Sequence, residues 1–138
     1  MTQISGRERL KFLDFEFVKQ TDGSCHSRVL LERGPGEQYE GFSELLGSDT
    51  GELRCAAQAA TIALQNAVGE KMRFELLGVK AVRAFDATVI IVSLSCHDGS
   101  PAIRLVGSCL SDTDQHRGAA LAVLNATNRL LGNAVYMR

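Results

Sequence analysis

The chain alternates between segments of period-two hydrophobicity and two alanine-rich segments of helical period. After Phe12, the residues of Leu10–Lys19 alternate between apolar and polar, which predicts a half-buried strand. Turn-forming residues separate this segment from further apolar runs, and the same order of segments returns later in the chain. The predicted strands are 10–19, 26–33, 38–46, 73–84, 88–96 and 102–109.

The first alanine-rich segment predicts a helix between residues 49 and 69. Apolar residues recur at helical spacing from Leu53 to Ala67, and Gly69 ends the run. Asp49 followed by Glu52 forms a capping-box pattern, with Ser48 as the alternative cap.

The second alanine-rich segment predicts a helix that ends at Gly132. Asp112 with Gln115 predicts its cap, and Ala120, Leu124, Thr127 and Leu131 are predicted to lie on its inward face.

The chain repeats one pattern twice. Ser48-Asp49-Thr50 returns as Ser111-Asp112-Thr113, and the strand and turn at 18–24 return at 82–88 with almost the same spacing. We therefore predict an α+β domain over 10–138, made of two βββα units (10–70 and 73–132) that are related by a pseudo-twofold axis, with antiparallel strands packed against two helices. Residues 1–9 are predicted to form a flexible leader.

Composition excludes several functional classes. The net charge is −1 and the basic residues form no cluster, whereas nucleic-acid binding requires clustered Lys and Arg. No apolar run is long enough for a transmembrane helix, and the polar start of the chain lacks the apolar core of a signal peptide. We therefore expect a cytoplasmic protein that binds neither nucleic acid nor membrane, and whose four cysteines are reduced thiols.

Three segments carry a resemblance to a known family. The segments 79–87, 107–114 and 120–128 resemble the C-terminal regulatory domain of 2-isopropylmalate synthase and of citramalate synthase. That resemblance implies a fold of two βββα units, homodimerisation, and binding of leucine or isoleucine as a feedback signal. The chain departs from the family pattern at Val123 and Thr127, and at Phe85, where a Gly-Thr pair would precede the aspartate.

The turns and helix starts provide the candidate ligand-binding residues. In the family, the turn after the first strand of each unit lies close to the effector site, so a carboxylate there could receive the ammonium group of an amino acid. A helix start suits a ligand carboxylate. The alternatives are that aspartate favours turns for its own backbone hydrogen bonds, and that these residues only cap the helices. The candidates are Asp86, Ala87, Ser111, Asp112 and Thr113 in the second unit and Asp22 and Gly23 in the first.

Cysteine and histidine do not form a strong metal or catalytic motif. Cys25-His26 and Cys96-His97 are adjacent pairs on strands, and neighbouring strand residues point to opposite faces. The C-x₂-C spacing of zinc sites is missing. We therefore predict no metal, no cofactor and no catalytic residue: a non-catalytic domain that binds a small molecule, or alternatively a structural dimerisation or protein-docking module without a ligand.

Overall fold

In the part of the chain that the structure describes, eight elements form two βββα units in chain order. The computed structural model describes residues 10–99 and 101–131. The strands are β1 (Leu10–Lys19), β2 (Ser24–Arg33), β3 (Glu37–Leu46), β4 (Arg73–Ala84), β5 (Ala87–His97) and β6 (Ile103–Leu110), and the helices are α1 (Asp49–Val68) and α2 (Gln115–Leu131). The α+β class and the two βββα units are confirmed. The predicted leader at 1–9 and the predicted helix end at Gly132 lie outside the described residues.

Each unit contains an antiparallel sheet of three strands in chain order, β1-β2-β3 and β4-β5-β6. The first strand of each sheet carries an irregularity in register, between Phe12 and Asp14 in β1 and between Leu76 and Gly78 in β4. These two irregularities occupy the same position in each copy, so the repeat in the sequence is also a repeat in backbone geometry. A β-bulge of this kind places one extra residue in the strand and increases its twist.

The helices pack on the inner faces of the sheets through very small residues. A Cβ atom at Gly41 of β3 would overlap the backbone of Ala59 and Ala63 in α1, and a Cβ atom at Gly107 of β6 would overlap that of Ala122 and Ala126 in α2. The alanine-rich helix faces therefore let each helix approach its own sheet closely, and the equivalent glycines provide the space. This closeness fixes Gly41 and Gly107 as equivalent positions of the two units.

The units meet through their helices and through the first strand of the opposite sheet. Helix α1 contacts α2 and β4, and α2 contacts β1. Arg54 donates a hydrogen bond from Nη2 to the Leu76 carbonyl at 3.2 Å. Its counterpart in the second unit, Arg117, places its guanidinium 4.7 Å from the centre of the Phe12 ring. Equivalent arginines thus reach equivalent positions across the junction.

The outer faces of the two sheets differ in chemistry. Cross-strand pairing defines nine equivalent outward positions on each sheet. On the first sheet these are Asp14, Glu16, Val18, His26, Arg28, Leu30, Glu40, Phe42 and Glu44; on the second they are Gly78, Lys80, Val82, Val89, Ile91, Ser93, Val106, Ser108 and Leu110. Five of the first nine are Asp, Glu or Arg, and only one of the second nine, a lysine, is charged.

Candidate functional site

The second helix begins three residues after the predicted cap. The Asp114 carboxylate accepts a hydrogen bond from the backbone N–H of Arg117 at 3.0 Å, so Asp114 is the residue that caps α2. Asp112 accepts one from the backbone N–H of Thr88 at 3.3 Å instead. The predicted cap at Asp112 is therefore wrong, because its side chain joins the start of β5.

The segment from Ser111 to Thr113 links the helix start to the sheet. The Ser111 N–H donates to the Thr88 carbonyl at 2.8 Å, and the Ser111 hydroxyl donates to the Asp114 carbonyl at 2.7 Å. Since Thr88 directly follows Ala87, the structure brings the predicted turn residues and the predicted helix-start residues of the second unit into one region.

The hairpin that carries Asp86 is a two-residue turn in an uncommon conformation. Phe85 and Asp86 have φ angles of 55° and 61°, as a type I′ turn requires at both central positions. Aspartate tolerates this region, whereas a bulky aromatic rarely adopts it. The Phe85 side chain is 100% exposed, so no packing within the described residues accounts for an aromatic at this position.

The equivalent turn of the first unit uses its aspartate internally. The Asp22 carboxylate accepts hydrogen bonds from the hydroxyl of Ser24 at 2.6 Å and from its backbone N–H at 2.9 Å. These bonds lower the pKa of Asp22. Gly23, with a φ of 92°, accepts a bond at its carbonyl from the Gly47 N–H, at 2.6 Å, just before α1. Asp22 therefore makes the backbone and side-chain hydrogen bonds that are typical of an aspartate in a turn, which is the alternative to a ligand-binding role.

The first helix uses the alternative cap. The Ser48 hydroxyl accepts a hydrogen bond from the backbone N–H of Gly51 at 2.9 Å, so Ser48 caps α1 in place of Asp49. The capping-box prediction is wrong, because Glu52 turns to tertiary partners. Its Oε2 lies 3.0 Å from Lys19 Nζ, and its Oε1 lies 3.0 Å from Nε2 of His116 in the other unit.

We call Glu52, Lys19 and His116 the Glu52 cluster. The side chain of Glu52 is largely buried. The hydrogen bond from Lys19 is the main cause that lowers the pKa of Glu52, with a smaller effect from His116, while burial acts in the opposite direction. The His116 ring stacks on Phe17 with 3.8 Å between ring centres. These residues lie on β1, α1 and α2 and no short motif joins them, so no signal in the sequence indicates the cluster.

A cleft of about 640 Å³ lies beside this cluster, at the junction of the units. Its walls are the first turns of both helices and the middle of β4. The lining residues are Glu52, Leu53, Val79, Lys80, Ala81, Thr113, Asp114, Gln115 and His116. Pockets that bind small molecules have similar volumes and combine apolar walls with a few polar groups.

The repeats differ in the residues that face the junction at this cleft, and the largest change in side-chain size is at one strand position. Ala81 of β4 is the repeat equivalent of Phe17 of β1, and Phe17 fills its side of the junction by stacking on His116. The small side chain at Ala81 leaves the corresponding space open. β4 is also an edge strand, so its backbone groups that face away from β5 lie outside the sheet's hydrogen bonds.

Two other clefts are less suited to a ligand. One of about 220 Å³ is lined by residues 109–114 with Arg117, Gly118 and Leu121, and therefore includes Ser111, Asp112 and Thr113. Another, of about 650 Å³, lies at the end of α1, where the Gln65 amide donates to the Gly69 and Met72 carbonyls and Asn66 to that of Glu40. Asp86 and Ala87 line none of these three clefts.

The cysteines lie in the protein interior. Cys25, Cys55, Cys96 and Cys109 are free and buried, while His26 points outward and lies near the Phe42 ring. Burial raises the pKa of the Cys55 thiol to about 12. Among residues 10–99 and 101–131, no three His, Cys, Asp or Glu side chains form a group that could hold a metal ion. No helix in this part of the chain is long and apolar enough to cross a membrane.

No protein-family model matches the chain, and no curated protein matches it in sequence.

Proposed function

We propose that this protein is a non-catalytic regulatory and dimerisation domain that binds a small metabolite, with leucine, isoleucine or valine as the first candidates. The observation that carries the proposal is the cleft at the junction of the units. It combines two carboxylates, Glu52 and Asp114, with a short apolar wall and an edge strand. A branched-chain amino acid offers a matching set of one cationic, one anionic and one apolar group.

Each group of the ligand has a partner type in the cleft. The ammonium group would lie near Glu52, which the lowered pKa keeps ionised. The ligand carboxylate would bind the Thr113 hydroxyl and the backbone N–H groups of the β4 edge. The aliphatic side chain would pack on Leu53 and Val79. Among the residues predicted from the sequence, Thr113 belongs to this site, while Asp86 and Ala87 stay a prediction for the nearby turn.

The geometry of Glu52 also supports a role without catalysis. A general base works best with a pKa near the working pH, and the pKa of Glu52 is shifted away from it. Lys19 and His116 already hold both of its oxygens. The carboxylate therefore links the two units, and a ligand ammonium group would use the lone pairs that these two contacts leave.

A thermal-shift screen against amino acids, 2-oxo acids and nucleotides tests the proposal. A ligand at 100 times its dissociation constant adds about 2.7 kcal/mol of stability, which for a domain of this size is a rise in Tm of about 9 °C. We expect a selective rise with a branched-chain amino acid. Ala81→Phe, which copies the aromatic of the first unit into the cleft, should remove the rise. The control is Ala102→Phe, at an exposed alanine just before β6 that does not line the cleft, and it should keep the rise.

A flat response of the folded protein across the whole panel would contradict ligand binding. It would favour the second candidate function, a structural dimerisation or protein-docking module. The observation that favours this candidate is Phe85, an exposed aromatic in place of the family's Gly-Thr pair.

A further inference from the structure

Five of the nine outward positions of the second sheet are valine, isoleucine or leucine. Its rows of cross-strand neighbours are Val82–Val89–Leu110, Lys80–Ile91–Ser108 and Gly78–Ser93–Val106. Val106 and Leu110 are 63% and 64% exposed. Sheets that carry β-branched residues on such a face normally pack face to face with a second sheet, with side chains from both interdigitating.

We propose that two copies of this chain associate through the outer faces of their second sheets, related by a two-fold axis. The inference rests on the self-association in the proposed function and adds the surface that mediates it. A patch of this kind, on a protein whose other sheet is charged, is a common sign of an interaction site.

The charges of the molecule disfavour the other arrangement of identical copies. If the second sheet packed on the first sheet of a neighbour, its valine, isoleucine and leucine side chains would remove Asp14, Glu16 and Glu40 from water, and Lys80 alone could not pair with all three carboxylates. Arg28 already binds Asp14 and Glu40 within that face. Such head-to-tail packing would also leave one apolar face exposed at the end of every chain of copies. A two-fold pair buries both apolar faces at once.

The area of this outer sheet face determines how tightly two copies are expected to associate. Three strands about 4.8 Å apart and about eight residues long cover a flat area of about 370 Å². A standard stable interface takes about 800 Å² from each partner. The turn with the fully exposed Phe85 lies two cross-strand pairs beyond Val82–Val89 and extends the surface. We therefore expect a dimer that dissociates at micromolar concentration.

The repeat supplies variants that the fold already tolerates. Since Gly41 and Gly107 are equivalent, Glu40 and Glu44 of the first sheet correspond to Val106 and Leu110 of the second. Val106→Glu with Leu110→Glu therefore gives the second sheet the side chains of the first. In the same way, Ile91→Arg copies Arg28. The matched control is Phe42→Ser, which copies Ser108 into the first sheet.

Sedimentation velocity from 5 to 500 µM tests the inference, with circular dichroism to show that each variant is folded. We expect a monomer–dimer equilibrium for the unmodified chain and for Phe42→Ser. Val106→Glu/Leu110→Glu should weaken dimerisation at least 100-fold, and Ile91→Arg provides an independent disruption if the double variant does not fold. Folded variants that dimerise like the unmodified chain would overturn the inference and leave self-association standing. If the unmodified chain is a monomer at 500 µM, both the proposed surface and self-association itself are wrong. Ligand binding is measured separately.

Discussion

The two units share a fold and differ in what they leave exposed. At the junction, Phe17 fills the space beside His116 in the first unit, whereas Ala81 leaves the equivalent space open in the second. On the outside, the first sheet carries the ion pairs of Arg28, whereas the equivalent residue of the second sheet is Ile91. The glycines that hold each helix close to its sheet are the same in both units.

This difference separates the residues that build the domain from those available for other roles. Gly41 and Gly107 provide equal space for α1 and α2, and the backbone irregularities of β1 and β4 occupy equivalent positions. These equivalent residues therefore determine the same packing of helix on sheet in each unit. The apolar outer sheet face belongs to the second unit, and the cleft is open beside Ala81 of that unit, so both proposed interactions involve residues in which the second unit departs from the first.

The largest loss of stability is expected from substitutions at the glycines that the two units share. Gly41→Ala and Gly107→Ala each force a Cβ atom onto the backbone of a helix, and we expect each to reduce the free energy of unfolding by about 3 kcal/mol. Gly78→Ala has open space around it and should be close to neutral. Urea unfolding of the three variants measures this. A large loss at only one of the two positions would break the equivalence of the units.

Substitutions at the two helix starts should reduce stability according to the hydrogen bonds in the structure, although the two segments match in sequence. Ser48→Ala and Asp114→Ala each remove a cap and should cost about 1 kcal/mol. Asp112→Ala removes a longer bond to Thr88 and should cost less than half as much. Thermal unfolding under identical conditions ranks the three variants. If Asp112→Ala proves as costly as Asp114→Ala, the later start of α2 is wrong.

Phe85 should be unfavourable for the isolated monomer. Phe85→Asn places a residue that accepts a positive φ at the first central position of the turn and should stabilise the monomer by about 1 kcal/mol. The same change should weaken dimerisation, because it removes an exposed aromatic from the proposed surface. Unfolding measured at low micromolar concentration, together with sedimentation, separates the two effects. A loss of monomer stability would show that the Phe85 ring contributes to the fold.

An effect on stability of about the size of one helix cap concerns the ion pairs of Glu52. Since the folded-state pKa of Glu52 lies below its ordinary value of 4.5, its stabilisation is present above about pH 4.5 and is lost as the pH falls through the lowered value. Glu52→Gln should reduce stability by about 1 kcal/mol at pH 7, and the difference from the unmodified chain should disappear near pH 2. A difference that persists unchanged in acid would show that the carboxylate charge is not the cause.

The fold was largely predictable because each element has a local signature. The alternation in β1 and the β-branched run in β5 predict strands, and the small-residue faces of α1 and α2 predict helices. The bounds of β1 and β4 agree with the prediction. β2 begins at Ser24, slightly earlier than predicted, because the bonds of Asp22 to Ser24 complete the turn before that residue.

The candidate site was less predictable because it depends on contacts between units. The segments Ser48-Asp49-Thr50 and Ser111-Asp112-Thr113 match in sequence, yet only the first contains the helix cap. The partners of Glu52 lie on β1 and α2, and no local pattern indicates them. The cleft is open beside Ala81, where the first copy has Phe17. The sequence alone does not show that this difference leaves a space, because the space depends on how the two units pack.

The most direct test of the central claim is an amide NMR titration of the isotope-labelled protein with leucine, isoleucine and valine up to 10 mM, in the unmodified chain and in Ala81→Phe. We predict saturable shifts for one of these ligands at residues 79–81 and 113–116, and their loss in the variant. The absence of shifts for all three, or shifts that lie elsewhere and persist in Ala81→Phe, would contradict binding at the junction of the two units.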